Sequence, residues 1–272
     1  MPPAASSLVA TDLDGTLLHT DGSVTAWTRR VLDELEGRGV PIVFVTGRPI
    51  RWMDELWHHV GDHGLAICSN GGIVYDVTRH EVRHARTVPA EVCVEVAQTL
   101  REALPGTTFS VEKTGGFGRE DAFMPHRTGG LGIPTGPLED IVDDTVVKLL
   151  ARHEEIPADI FWEQVEQLVG NLVTTTWSSA GALIEMSGAG VTKASTLAAL
   201  AAELGAQPEQ VIAFGDMPND IPMLTWAGRG YAMANAHPSV RDVVRLVAPP
   251  NDEDGVAATL VDLFGLGLAR PR

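Results

Sequence analysis

The sequence predicts an α/β protein: a doubly wound, Rossmann-like parallel sheet with a second, α+β unit inserted into it. Three observations carry that prediction. Short apolar runs alternate with helix-length amphipathic stretches toward both ends of the chain, as in βαβ units. Between them strict alternation stops, and strands precede and follow helices in looser order. Polar and acidic residues stand directly after the apolar runs, where an open parallel sheet binds its ligands. The expected division is a core of residues 1–84 and 184–272 around an inserted unit of residues 85–183.

In chain order, Leu8-Val9-Ala10 reads as a buried strand, because a short apolar run bounded by polar residues suits one. It runs into Asp12-Leu13-Asp14-Gly15-Thr16, where the glycine permits a sharp turn. Val24 to Gly39 carries Val31, Leu32 and Leu35 at helical spacing and stops at its glycines. Val40 to Val45 is a second strand, closed by Thr46-Gly47-Arg48, and Pro49 to Gly61 reads as a helix with proline in its first turn. Leu65 to Cys68 is a third strand, followed by Ser69-Asn70-Gly71-Gly72, in which Asn70 braces a turn.

In the inserted region Pro89 to Leu104 is an amphipathic helix. Thr107 to Glu112 and Phe117 to Phe123 read as strands joined around Gly115-Gly116, and Gly129 to Pro137 as a loop. Thr145 to Leu150, the helix Ala158 to Val169, and strands Asn171 to Ser178 and Ala182 to Met186 complete the unit. The first pattern then returns. Thr192 to Leu204 is a helix, Val211 to Phe214 a strand ending in Gly215-Asp216, and Ile221 to Ala227 a short helix. Gly230 to Met233 and Leu246-Val247 read as strands, and a helix from Asp254 to Phe264 closes the chain.

Composition narrows the functions open to such a fold. Twenty basic against 36 acidic residues give a formal charge of −16 over 272 residues. A field of that sign disfavours nucleic acid and anionic membranes as partners. A phosphate site in such a chain must be built locally, and with only Lys113, Lys148 and Lys193 present, each lysine merits a closer look. No apolar stretch approaches the roughly 20 residues that span a bilayer. Residues Met1 to Ala5 lack the basic and apolar segments of a signal peptide and read as a frayed tail. Cys68 and Cys93 provide neither a disulfide framework nor a zinc cluster, and both read as buried thiols in a reducing, cytoplasmic setting. The nine histidines lack carboxylate-rich partners at zinc spacing and read as structural.

Chemistry concentrates at the strand ends. Asp12 and Asp14 are neighbouring carboxylates, which repel unless a cation, a proton or hydrogen bonds hold them, and oxygen ligands of this kind suit Mg²⁺. Thr46-Gly47-Arg48 offers a hydroxyl and backbone N–H groups at a strand-to-helix junction, a place that holds phosphate oxygens. Lys193 opens a helix after the glycine-bearing Ser187-Gly188-Ala189-Gly190 and adds a point charge for the same anion. Asp216, Asn219 and Asp220 follow the strand at Val211. Together these describe a phosphoryl-transfer site. Each piece also has an ordinary reading: an Asp-Gly turn, a Thr46 helix cap, an Arg48 surface ion pair, a solvated Lys193, a Pro-Asn turn at 216–220.

The order of these segments resembles the haloacid dehalogenase-superfamily phosphatases of the Cof type, whose large type IIB α/β cap lies between the second and third motifs. Asp12-Leu13-Asp14-Gly15-Thr16 matches the first motif, Thr46-Gly47-Arg48 the second and Val191-Thr192-Lys193 the third. Gly215-Asp216-Met217-Pro218-Asn219-Asp220 matches the fourth, and Asn251-Asp252-Glu253-Asp254-Gly255-Val256 also resembles this branch. The resemblance implies that Asp12 attacks phosphorus to form an aspartyl-phosphate and that Asp14 acts as general acid and base. It implies Mg²⁺ held by the Asp12 carboxylate, the Asp14 backbone carbonyl and Asp216. Leu13, Thr46, Gly47, Lys193 and Asn219 would grip the phosphoryl group. Asp220 would orient Lys193 or a metal-bound water.

The expected partner is a small-molecule phosphoester, such as a sugar phosphate, enclosed by the cap, with no obligate protein partner. Lys113 and Arg119, flanking Gly115-Gly116, are candidates to meet it, although an exposed hairpin accounts for them equally well. A phosphosugar mutase with the same nucleophile is the alternative enzyme. A non-catalytic phospho-receiver or nucleotide-binding module leaves Asp14 and the inserted unit without a use. A dehalogenase leaves Asp14 no leaving group to protonate.

Overall fold

The computed structural model describes residues 7–53, 56–57, 64–123, 133–177 and 183–270. Strand β1 (Leu8–Asp12) is buried at all five positions, as expected of a strand in the middle of a parallel sheet with both faces covered. Helix α1 (Ala26–Gly37) follows, its first turn capped by Thr25, whose side chain accepts the Thr28 N–H. It buries Trp27, Val31, Leu32 and Leu35. Strand β2 (Ile42–Val45) is again wholly buried. Of the helix expected over Pro49–Gly61, the described part is one 3₁₀ turn at Ile50–Trp52 and helical Leu56-Trp57; the rest lies outside the described residues.

Strand β3 (Leu65–Cys68) turns through Ser69, Asn70 and Gly71 into an antiparallel partner, β4 (Ile73–Asp76), and β5 (Glu81–Ala85) follows. Neither β4 nor β5 was expected. The β4 hairpin is hidden in a glycine-rich stretch that reads as loop, and β5 is exposed at every position, so it has no buried face to imprint an alternation.

The chain splits into two compact units, Met1–Arg83 with Lys193–Arg272, and His84–Thr192. The second unit contains α2 (Ala90–Ala103), β6 (Thr108–Lys113), β7 (Gly116–Arg119), α3 (Leu138–Ile141), β8 (Val146–Arg152), α4 (Ala158–Val169), β9 (Val173–Thr176) and β10 (Leu183–Gly188). Its five strands run β7-β6-β8-β10-β9, each pair antiparallel. Phe109 and Val111, Leu149 and Ala151, and Ile184 and Met186 alternate along three strands and share one core with Val96 and Leu100 of α2 and Phe161 and Val165 of α4.

Strand β7 is shorter than the expected Phe117–Phe123. It ends at Arg119, whose Nη1 bonds the carbonyl oxygens of Glu120, Asp121 and Phe123 and so holds the following loop away from the ladder. Lys113 Nζ pairs with Asp143 Oδ2 at 2.7 Å. Both cations expected to meet a substrate are thus engaged inside their own unit. The loop expected at Gly129–Pro137 and the strand ends expected at Ser178 and Ala182 lie partly outside the described residues.

The chain returns to the first unit through α5 (Lys193–Glu203), β11 (Val211–Gly215), α6 (Ile221–Trp226), β12 (Arg229–Met233), α7 (Pro238–Val243), β13 (Leu246–Ala248) and α8 (Gly255–Phe264). Its eight-stranded sheet runs β13-β12-β11-β1-β2-β3-β4-β5, with parallel pairing from β13 through β3. This is the doubly wound α/β core the alternation implies. The register places Thr11 opposite Phe214, Asp12 opposite Val45 and Val45 opposite Ile67. The carboxyl ends of β11, β1, β2 and β3 therefore stand side by side, and four loops converge there. Cys68 and Cys93 are buried and form no disulfide among the described residues, and burial pushes the Cys93 thiol up to about 12. No helix among the described residues is long and apolar enough to cross a membrane.

Candidate active site

At the end of β1 the chain leaves strand geometry: Gly15 takes φ +75°, and a Cβ there would lie 2.4 Å from Asp216 Oδ2. Glycine is required because the β1 and β11 loops touch at this point. Thr16 Oγ1 donates to Asp216 Oδ1 at 3.0 Å, and Asn235 Nδ2 donates to the Gly15 carbonyl at 2.8 Å. The two acids of the first motif part company here. Asp12 is buried, whereas the Asp14 side chain is 57% exposed.

Lys193, the first residue of α5, is only 3% exposed, and its Nζ donates to Asp12 Oδ1 at 2.6 Å and to Asp220 Oδ1 at 2.8 Å. The solvated reading of this lysine is excluded. Asp220, fully buried, uses its other oxygen to accept the N–H groups of Asp216 (3.1 Å) and Met217 (3.0 Å). One carboxylate thereby folds the β11 loop and seats the ammonium. Gly215 makes room for it, since a Cβ at Gly215 would lie 2.6 Å from that of Asp220.

Asp12, Asp216 and Asp220 each place an oxygen within 4.8 Å of the others. Burial raises the Asp12 carboxyl well above its ordinary range, with Asp220 and Asp216 adding to the rise and Lys193 opposing it. Burial, then the neighbouring Asp220, pushes Asp216 up to about 6. Burial acts against the Lys193 charge, yet Asp12 and Asp220 outweigh it and keep the ammonium protonated. One cation facing three buried carboxylates leaves an excess of negative charge, the condition a hard metal ion relieves. The donor set fits such an ion. Both Asp220 oxygens are used, whereas Asp12 Oδ2 and Asp216 Oδ2 carry no protein partner among the described residues.

Around this cluster stand the remaining expected residues. Thr46, buried, accepts the Arg48 N–H on its Oγ1 at 3.0 Å, so it closes a turn around Gly47 and is not the helix cap of the ordinary reading. Arg48 makes two bonds to Asp14, Nε to Oδ2 at 2.8 Å and Nη2 to Oδ1 at 2.5 Å, and Asp14 in turn raises the guanidinium pKa. Leu13 is buried, and its carbonyl accepts the Leu18 N–H at 2.9 Å. Asn219 Nδ2 lies 3.4 Å from Asn70 Oδ1, and its own Oδ1 is buried without a partner among the described residues.

Direct contacts thus unite Asp12, Lys193, Asp216 and Asp220 with Thr16, and a separate pair ties Asp14 to Arg48. Sequence reasoning left two participants aside: Thr16, absorbed into the first motif, and Asn70, read as a turn brace. A polar residue directly after the third buried strand was the available signal for Asn70.

Comparison with known proteins agrees with this architecture. The sequence profile of the haloacid dehalogenase-like hydrolases matches residues 9–260. A Bacillus subtilis (strain 168) protein named 5-amino-6-(5-phospho-D-ribitylamino)uracil phosphatase YcsE is 30% identical over 253 residues, covering 93% of this chain and 94% of its own. A phosphoglycolate phosphatase of Methanopyrus kandleri is 29% identical over 266 residues, covering 95% and 97%. Among solved structures, the HAD subclass IIB sugar phosphatase BT4131 superposes with a TM-score of 0.76 at 22% identity, over 96% of this chain and 99% of that one, a likeness of fold. The chain belongs to the haloacid dehalogenase-like hydrolase family, in its Cof-type phosphatase branch.

Proposed function

We propose that the protein hydrolyses phosphomonoesters of small metabolites, sugar phosphates among them, through an aspartyl-phosphate on Asp12 and with Mg²⁺ as cofactor. The observation that carries this reading is the buried Asp12–Lys193–Asp220 arrangement beside Asp216, with one oxygen each of Asp12 and Asp216 left for a cation. The relatives named above, whose names specify small phosphorylated compounds, support the substrate class.

In the first displacement an Asp12 oxygen bonds to phosphorus while the bond to the ester oxygen breaks, and Asp14 gives its proton to that oxygen, releasing an alcohol. In the second, a water oxygen bonds to phosphorus and passes a proton to Asp14. The Asp12–phosphorus bond breaks, and inorganic phosphate leaves. Lys193 and Asn219, with the Leu13, Thr46 and Gly47 segments, hold the phosphoryl oxygens throughout, so positioning and charge supply most of the rate. Mg²⁺, held by Asp12, Asp216 and the Asp14 carbonyl, supplies further neutralisation of phosphoryl charge. Asp220 keeps Lys193 aimed at Asp12. In this reading residues 1–84 and 184–272 carry the chemistry, residues 85–183 select the substrate, and the enzyme works in the cytoplasm.

The test is phosphate release from a panel of phosphorylated metabolites, with and without Mg²⁺, for the wild type and Asp12→Asn. Release that requires both Mg²⁺ and Asp12 is expected. Full activity in Asp12→Asn, or a wild type inert toward every ester in Mg²⁺, overturns the reading.

A further inference from the structure

Between β3 and β4, Ser69, Asn70 and Gly71 take φ values of 53°, 56° and 109° in succession. Two of the three are not glycine, although left-handed backbone favours glycine strongly and Gly71-Gly72 stand next in the chain. Asparagine tolerates this region better than other non-glycine residues, so the turn can place a carboxamide where a glycine would place nothing.

The turn is fastened on both sides. Ser69 N–H donates to the Arg48 carbonyl (3.0 Å) and Asn70 N–H to the Thr46 carbonyl (3.1 Å), so the turn is bonded to the loop that follows β2. Thr196 Oγ1, one turn into α5 from Lys193, donates to the Gly71 carbonyl at 2.9 Å. Asn70 itself is buried. Its Oδ1 receives Asn219 Nδ2 at 3.4 Å, and a Cβ at Gly47 would lie 2.9 Å from the same oxygen. One carboxamide oxygen therefore bonds one residue assigned to the phosphoryl grip and lies so close to a second, Gly47, that no side chain fits between them; the two arrive on different loops.

We infer that Asn70 is a positioning residue for that grip. Its Oδ1 engages one Nδ2 hydrogen of Asn219 and leaves the second to donate to a phosphoryl oxygen, and the same oxygen sets the closest approach of the Gly47 backbone. The left-handed turn is what delivers the carboxamide to this place. The inference rests on the phosphatase reading for the identity of the ligand, and it concerns a residue outside the four motifs.

The discriminating variant is Asn70→Gly, because glycine keeps the left-handed turn and removes only the carboxamide. Turnover of the best phosphoester in Mg²⁺, binding of inorganic phosphate by calorimetry and the thermal midpoint are measured for the wild type, Asn70→Gly, Asn219→Ala and the double variant. Asn70→Gly is expected to keep its midpoint while phosphate affinity and kcat/KM fall on the order of tenfold, as when a positioned hydrogen-bond donor is set loose. The losses in the double variant are expected to add less than fully, since Asn70 acts in part through Asn219. Wild-type phosphate affinity in Asn70→Gly, or losses that add fully in the double variant, overturn the positioning role. Binding of inorganic phosphate reads this role without turnover. A wild type that binds phosphate yet hydrolyses no ester would therefore end the phosphatase reading while Asn70 was still tested, and a wild type that does neither would end both.

Discussion

Replacing Lys193 with methionine isolates the electrostatics on which the site depends. The ammonium is 3% exposed and bonds Asp12 at 2.6 Å and Asp220 at 2.8 Å, so Lys193→Met leaves two buried carboxylates facing each other across an apolar stem. Removing one partner of a buried pair destabilises by about 3–5 kcal/mol, because the remaining charge has neither water nor counter-ion. For a unit of this size each kcal/mol moves the melting temperature by about 2–4 °C, so a fall of roughly 6–20 °C is expected in metal-free buffer. Scanning calorimetry at neutral pH measures it. The double variant Lys193→Met, Asp220→Asn should recover part of the loss, since it neutralises one of the orphaned acids without changing its size. A fall below about 0.5 kcal/mol, the range of ordinary surface substitutions, would show that Lys193 is a solvated helix-start residue and would refute the buried cluster.

Three further outcomes follow from the same geometry. Mg²⁺ should raise the melting temperature of the wild type, by an increment equivalent to about 2.7 kcal/mol at a hundredfold excess over its dissociation constant, and Asp216→Asn should abolish most of that gain in a thermal-shift titration. Asp14→Asn should slow hydrolysis of an alkyl phosphate by about 10²–10⁴-fold but that of p-nitrophenyl phosphate much less, because a phenolate of low basicity leaves without a proton; equal losses in steady-state assays would remove Asp14 as the acid. Burial opposes ionisation of Asp254, but the hydroxyls of Thr25 and Thr28 and the His19 ring outweigh it and hold the carboxyl below its ordinary value. A lowered pKa means that this stabilisation is present above the unfolded value of about 3.9 and fades as pH falls through the folded one, so Asp254→Asn should unfold with a shallower acid dependence than the wild type in circular dichroism.

Much of the fold is legible locally. Strands β1, β2, β3 and β11 are continuous apolar runs because parallel strands are covered on both faces, and the helices α1, α2 and α4 carry their burial at helical spacing. Three of the four chemistry-bearing segments are legible for the same reason, each following directly on such a run; the Lys193 segment instead follows the glycine-bearing stretch at 187–190 and opens a helix. Strand β5 and helix α7 leave no trace of this kind, the first because no face is buried, the second because six residues with only Val240 buried form no period.

By itself the sequence determined that two acids, a threonine–glycine turn, a lysine and a second acidic loop stand at the ends of buried elements, because hydrophobic periodicity is written in neighbouring residues. Only the tertiary structure decided how they pair. Asp12 and Asp14 are two residues apart, yet the left-handed turn at Gly15 follows them and the chain sends one inward to Lys193 and the other outward to Arg48. Asn70 looks like any residue of a glycine-rich turn until the fold brings Gly47 and Asn219 to its side-chain oxygen. Partner choice between distant loops is set by strand order and register, and neither is encoded in any one segment.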